Sequence, residues 1–263
     1  MKSAETGRSM LYRGGRIALL MLPLAMTGLV GCEKDENKDL TQTIHVIIDT
    51  IVSDPNSVQD IDGNIYPVLQ IGAQRWMGAN LRSTHYGNGD PIPYVPNSQA
   101  WMGLNNGAWA IYESDPGFAS VYGNLYNYFV VLDPRNVCPE GWHVPSDADW
   151  KELESELGMS LNEVDQMGIR GAGSNIGGKL KSTQLWSLPN TGATDSIGFE
   201  GLPGGLRSSS GSYSFEGEHA WWWTSTQSDP NTAMYRSLHN DNMGVYRLIT
   251  NIRQGVSIRC LKD

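Results

Sequence analysis

Two cysteine-bearing blocks, more than a hundred residues apart, limit what this chain can fold into. The first runs Cys138-Pro139-Glu140-Gly141-Trp142-His143-Val144-Pro145-Ser146-Asp147-Ala148-Asp149-Trp150, and the second, Gly255-Val256-Ser257-Ile258-Arg259-Cys260, lies at the C-terminal end. The third cysteine, Cys32, has a different setting. It follows Leu29-Val30-Gly31, after an apolar run from Ile17 to Thr27 that Lys2, Arg8, Arg13 and Arg16 precede. A basic start, a short apolar stretch and a small-residue cleavage point are the parts of a secretory signal peptide. The stretch falls short of the about 20 apolar residues that a spanning helix needs. Residues 1–31 therefore read as a lipoprotein signal peptide, with Cys32 the residue to be lipidated and the chain exported and anchored to the outer membrane. An ordinary signal peptide with an incidental cysteine is the alternative.

Export decides the redox setting, because disulfides persist outside the cytoplasm. With Cys32 acylated, Cys138 and Cys260 have only each other. A bridge between them is expected, worth up to about 4–5 kcal/mol on the chain-entropy model. Two free thiols or half of a metal site remain open, although the pair lacks the CxxC spacing of a zinc site.

The chain carries −9, and residues 1–31 contribute +3, so the remainder carries −12. That acidity argues against a nucleic-acid partner, which rewards basic stripes. Glu33 to Asp39 contains no apolar residue. It reads as a solvated tether within a linker spanning 32–57, similar to the acidic export signals of surface lipoproteins in the Bacteroidetes. About two hundred residues remain, the size of one domain, expected over 58–263. Nine Trp and eleven Tyr against four Phe, with thirty Gly, point to a loop-rich extracellular domain with short strands.

Thr43 to Val52 is β-branched and reads as a strand. Ile65–Ile71 and Gln74–Leu81 form an expected hairpin. Residues 83–120 read as a packed but irregular loop region, rich in aromatics. Asn124–Leu132 has the composition of a helix. The clearest helix starts at Ser146, with Asp149 completing a capping box, Trp150, Leu153 and Leu157 on one face, and Gly158 as its stop. Strands are expected over Ala220–Ser225, Ala233–Leu238, Gly244–Ile249 and Val256–Leu261. Strands, two helices, then strands make the fold class α+β.

The ordered blocks carry a family resemblance. They include Asp60-Ile61-Asp62-Gly63-Asn64, Trp76-Met77, Asn80-Leu81, Tyr122-Gly123-Asn124-Leu125-Tyr126, Gly177-Gly178-Lys179-Leu180-Lys181, Leu202-Pro203-Gly204-Gly205, Trp222-Trp223-Thr224-Ser225 and both cysteine blocks. Together these resemble the Fibrobacter succinogenes major paralogous domain, found in secreted and lipid-anchored bacterial proteins. The chain departs from that pattern at Ala79, where an acidic residue is usual, and at Val256, where an aromatic is usual. A more distant similarity to the formylglycine-generating family implies a C-type-lectin-like fold, with two short helices, small antiparallel sheets and long irregular loops where ligands bind.

Catalytic signatures are sparse. His45, His85, His143, His219 and His239 show no HxxxH or HxE spacing, and no G-x-S-x-G elbow occurs. Gly171-Ala172-Gly173-Ser174-Asn175-Ile176-Gly177 misplaces the third glycine of a dinucleotide loop. Asp229-Pro230-Asn231 and Asn240-Asp241-Asn242 have oxygen ligands that suit calcium but read as turns. The expectation is a domain without catalysis, cofactor or metal that binds a glycan or an envelope protein. The aromatic candidates for contacting such a ligand are Trp101, Trp109, Tyr112, Tyr213 and Trp221. An enzyme on the formylglycine-generating scaffold and a structural envelope component are the alternatives.

Overall fold

The computed structural model describes residues 56–263, so the signal peptide, Cys32, most of the linker and the expected strand at 43–52 lie outside the described residues. In chain order the elements are β1 (Ser57–Gln59), β2 (Ile65–Ile71), β3 (Gln74–Met77), α1 (Ser98–Met102), β4 (Trp109–Ala110), α2 (Pro116–Tyr122), β5 (Leu125–Tyr126), α3 (Tyr128–Leu132), β6 (Trp142–His143) and α4 (Asp147–Glu156). There follow α5 (Leu161–Val164), β7 (Gly168–Arg170), α6 (Ile176–Leu180), β8 (Gly204–Arg207), β9 (Tyr213–Glu216), β10 (His219–Asp229), β11 (Thr232–His239), β12 (Val245–Asn251) and β13 (Leu261–Lys262). The fold class is α+β. Among the described residues six short helices stand where two were expected, and Gly103, Gly123, Pro134 and Gly158 stop four of them.

One sheet has the order β1-β2-β3-β13-β6 and a second β10-β11-β12-β7; β4-β5 and β8-β9 form two small pairs. The predicted hairpin is β2–β3, in the register Val68↔Met77 and Ile71↔Gln74. The last strand lies between β3 and β6: Leu261 pairs with Trp76 and with His143. Beside it, Cys138 and Cys260 form the disulfide. The expected strand over 256–261 is shorter than the sequence suggests. Val256 and Ser257 make only isolated bridges, to Tyr126 and Trp222. The run crosses from one sheet to another and buries Val256 and Ile258 on the way.

Strand periodicity explains the core. Successive side chains of β10 point to opposite faces. Trp223 enters one core with Tyr66, Met77, Tyr126, Tyr128 and Ile258. Its neighbour Trp222 enters another with Trp76, Trp150, Leu153 and Phe199. In that second core Trp150 packs edge-on to Trp76, with ring centres 4.9 Å apart.

Helix α4 starts with the predicted capping box: the Ser146 hydroxyl accepts from the Asp149 amide, and the Asp149 carboxylate accepts from the Ser146 amide. A buried ionic network docks this helix on the second sheet. Glu154 accepts from Arg170 and Arg236 at 2.7 Å each, and Asp147 from Arg236 and Arg247 at 2.8 Å each.

Candidate functional site

Three of the five aromatic candidates converge on Arg207. Its guanidinium lies 4.4 Å from the Trp101 ring centre and 5.0 Å from that of Tyr213, and Tyr213 packs on Tyr112 at 5.1 Å. Arg207 is fully buried, and its donors go to the carbonyls of Val95, Pro96 and Gly211. Trp101 is also fully buried, and its indole N–H donates to the Arg253 carbonyl at 2.8 Å. This cluster clamps the 95–101 segment to the β8–β9 hairpin, and Trp101 has no ring face open to a ligand. Tyr112 is nearly buried against Phe118.

Trp109 leads to a more open place. Half-buried, it donates its indole N–H to the Ile92 carbonyl at 2.9 Å and its amide to the Pro93 carbonyl at 2.9 Å. It thereby braces one wall, Pro91 and Pro93, of a cleft of about 480 Å³. That volume falls in the range of small-ligand sites, about 300–1,000 Å³. The floor is Tyr86 beside Gly107. A Cβ on Gly107 would stand 2.0 Å from the Tyr86 hydroxyl oxygen, so only glycine lets the phenol lie there. The opposite wall is Phe129 and Leu132, from α3. Asn127, at the start of that helix, fixes the floor: its side chain accepts from the Ala108 amide at 3.1 Å and donates to the Asn106 carbonyl at 2.9 Å.

Two amides, Asn105 and Asn106, form the polar rim, and Asn105 is exposed. At the far end Arg135 stacks on the Tyr86 ring at 4.0 Å and is gripped by Asp133 and Asp90. The hydrogen bonds from Arg135 hold the Asp133 carboxyl below the usual range. Burial, and then the charge of Asp133, push the Tyr86 phenol up to about 12, so it stays protonated as a neutral donor. An aromatic floor, rigid proline walls and a few placed polar groups are the ingredients of a small-ligand site.

Trp221, the fifth candidate, lies half-buried on the same face of β10 as Trp223 and packs against the first core. It packs on Tyr235 at 4.6 Å, next to a stack that runs Phe215, His219, His239, Tyr246 with ring spacings of 4.4, 3.7 and 3.8 Å. His219 and His239 are directly opposed cross-strand neighbours. Burial, with the neighbouring His219, holds His239 down to about 4, so the stack is neutral near pH 7. The rings lie face to face, so the interior ones present mainly edges to a ligand.

Other sequence candidates resolve as local structure. In Asp60-Ile61-Asp62-Gly63-Asn64 the Asp60 carboxylate accepts from the Asp62 and Asn64 amides and the Tyr66 hydroxyl. Asp62 binds His85 Nδ1, and both hydroxyls nearby, Ser83 and Thr84, donate to the same carboxylate. Asp229-Pro230-Asn231 and Asn240-Asp241-Asn242 are hairpin turns, one on either side of β11. Among the described residues no group of three or more His, Cys, Asp or Glu could hold a metal ion, and no helix is long and apolar enough to cross a membrane.

Sequence reasoning pointed to the 83–120 region but missed Tyr86, Asn105 and the whole 129–135 wall. The available signal was the pair of Asp-Pro steps, Asp90-Pro91 and Asp133-Pro134, which place two stiff, charged corners where the cleft closes.

These observations define a class: a disulfide-closed α+β domain built on two aromatic cores, with a cleft of about 480 Å³ among irregular loops. The chain belongs to the Fibrobacter succinogenes major domain family, whose model matches residues 69–262. No curated protein and no solved structure gives a significant match. The family blocks occupy the framework. Asn80 accepts from Trp222 and Arg259, both fully buried. Ala79 and Val256, the two departures, pack in or against the first core.

Proposed function

We propose that this domain is a non-catalytic glycan-binding module with a C-type-lectin-like arrangement. It is carried by an exported envelope lipoprotein anchored to the outer membrane through lipidated Cys32. The observation that supports this reading best is the loop cleft: an aromatic wall from half-buried Phe129 above a floor closed by buried Tyr86, with a free amide at Asn105 on its rim. Planar amides pair with vicinal hydroxyls, and aromatic faces accept the apolar side of a sugar ring. The charge network on α4 and the Arg207 clamp are spent on packing, whereas the exposed Asn105 amide on the cleft rim is open to a ligand. The acidic chain also disfavours nucleic acid as a partner.

The test is a glycan array with the purified protein, with and without calcium, beside Phe129→Ala/Asn105→Ala. Selective binding that drops about ten-fold or more in the variant, roughly 1.4 kcal/mol, supports the reading. Absence of glycan binding in every condition overturns it and turns the search to envelope-protein partners. The anchor has its own check: Cys32→Ser should abolish incorporation of labelled palmitate, and unchanged labelling would refute lipidation at Cys32.

A further inference from the structure

The charged end of the cleft restricts what can enter it. Arg135 is the one cation lining the cleft, and each of its three nitrogens already donates to a carboxylate. Nε and Nη2 grip the two oxygens of Asp133 at 2.8 and 2.7 Å, a bidentate fork. Nη1 donates to Asp90 at 2.9 Å. The Tyr86 ring covers one face of the guanidinium at 4.0 Å. Two carboxylates against one guanidinium leave this end with a local charge of −1. The remaining polar lining is neutral: the amides of Asn105 and Asn106 and the protonated phenol of Tyr86.

From this arrangement we infer that the cleft selects uncharged, hydroxyl-bearing sugars and rejects sugars that carry a carboxylate. The inference rests on the glycan reading and names the ligand class for that same site. An anionic sugar would have to compete with Asp90 and Asp133 for Arg135, beside a net negative pair. The neighbouring Arg253 guanidinium is outside the lining, 6.0 Å from the Phe129 ring centre, with its Nε committed to the Leu104 carbonyl. Like charges at this range repel through a partly screened medium, and the acidic chain adds a repulsive background. A neutral sugar meets neither obstacle. Its hydroxyls can both donate to the outer lone pairs of the carboxylates and accept from the rim amides.

The experiment compares matched ligands that differ chiefly in a carboxylate: lactose against 3′-sialyllactose, and digalactose against digalacturonate. Affinities are measured by calorimetry at low and high salt. The native protein should bind the neutral member of at least one pair about ten-fold more tightly, with the ratio shrinking as salt rises. Two variants should move the ratio in opposite directions. Asp90→Asn/Asp133→Asn frees Arg135 and should bring the ratio to unity or reverse it, whereas Arg135→Gln leaves the carboxylates uncompensated and should raise it. Circular dichroism melting verifies that each variant is folded, and the native ratio by itself suffices if one is not. Equal or tighter binding of the acidic members by the native protein overturns this inference while leaving glycan binding standing. No binding of any member at any salt overturns both.

Discussion

Asn80 shows how much one buried side chain can organise. Its carboxamide oxygen accepts from the Trp222 indole at 2.8 Å and from Arg259 at 2.8 and 3.2 Å, while its nitrogen donates to the Tyr122 carbonyl at 2.8 Å. Arg259 is fully buried and has no carboxylate in contact; burial pulls its pKa down to about 9. Its cation is held by carbonyl oxygens of Asn80, Phe199 and Glu200 and by the faces of Phe199 and Trp222. Asn80→Ala would leave a guanidinium and an indole N–H buried without their acceptor. Such orphaning costs the desolvation penalty of each group, about 3–5 kcal/mol in all. A urea unfolding free energy that falls by this amount, through a lower midpoint at an unchanged slope, checks it; a loss under about 1 kcal/mol would mean that water replaces the oxygen.

At the scale of elements, α4 and the second sheet are joined by charge as well as by the apolar packing of Trp150 and Leu153 against Trp222 and Leu238. Burial by itself would raise the pKa of Asp147, but hydrogen bonds and charges from Arg247 and Arg236 outweigh it and hold the carboxyl well below the usual range. The sign follows from linkage. The unfolded chain takes up the proton near 3.8 while the folded chain resists it. The stabilisation is therefore complete above about pH 4 and fades as pH falls below that value. Asp147→Asn should cost about 3–5 kcal/mol at pH 7, because Arg236 then sits buried with half its partners. The variant should also lose less further stability than the native protein between about pH 4 and pH 2. Thermal unfolding across that range measures both effects, and parallel pH curves for the two proteins would refute the linkage argument.

At the scale of the whole molecule, the cysteines tie the middle of the chain to its end across 122 residues. The bridge lies where β13 pairs with both β3 and β6, so it closes a sheet that would otherwise depend on a two-residue terminal strand. Cys138→Ala/Cys260→Ala should lower stability by about 4–5 kcal/mol on the chain-entropy model, or about 10–15 °C in melting temperature for a domain of this size. A change of only a few degrees would show that the two aromatic cores hold the ends together unaided.

Local chemistry is what the amino-acid sequence determined by itself. The Ser146–Asp149 capping box, the β2–β3 hairpin and the three long strands of the second sheet depend on neighbours within a few residues, and their patterns are legible there. The family blocks and the cysteine pair were equally readable, because each is a fixed run of residue types. Tertiary structure decided which aromatics face inward and which residues meet at the cleft. Trp101 resembles a loop-borne contact residue until Arg207, over a hundred positions away, is seen to cover it. Tyr86, Asn105 and the 129–135 wall come from three separate segments, and no periodicity links them. Their assembly depends on long-range packing, above all on Asn127 pinning residues 106–108 and Trp109 bracing the proline wall. Contacts of that kind leave no local pattern, because the energy that selects them is released only when distant segments bury the same surface.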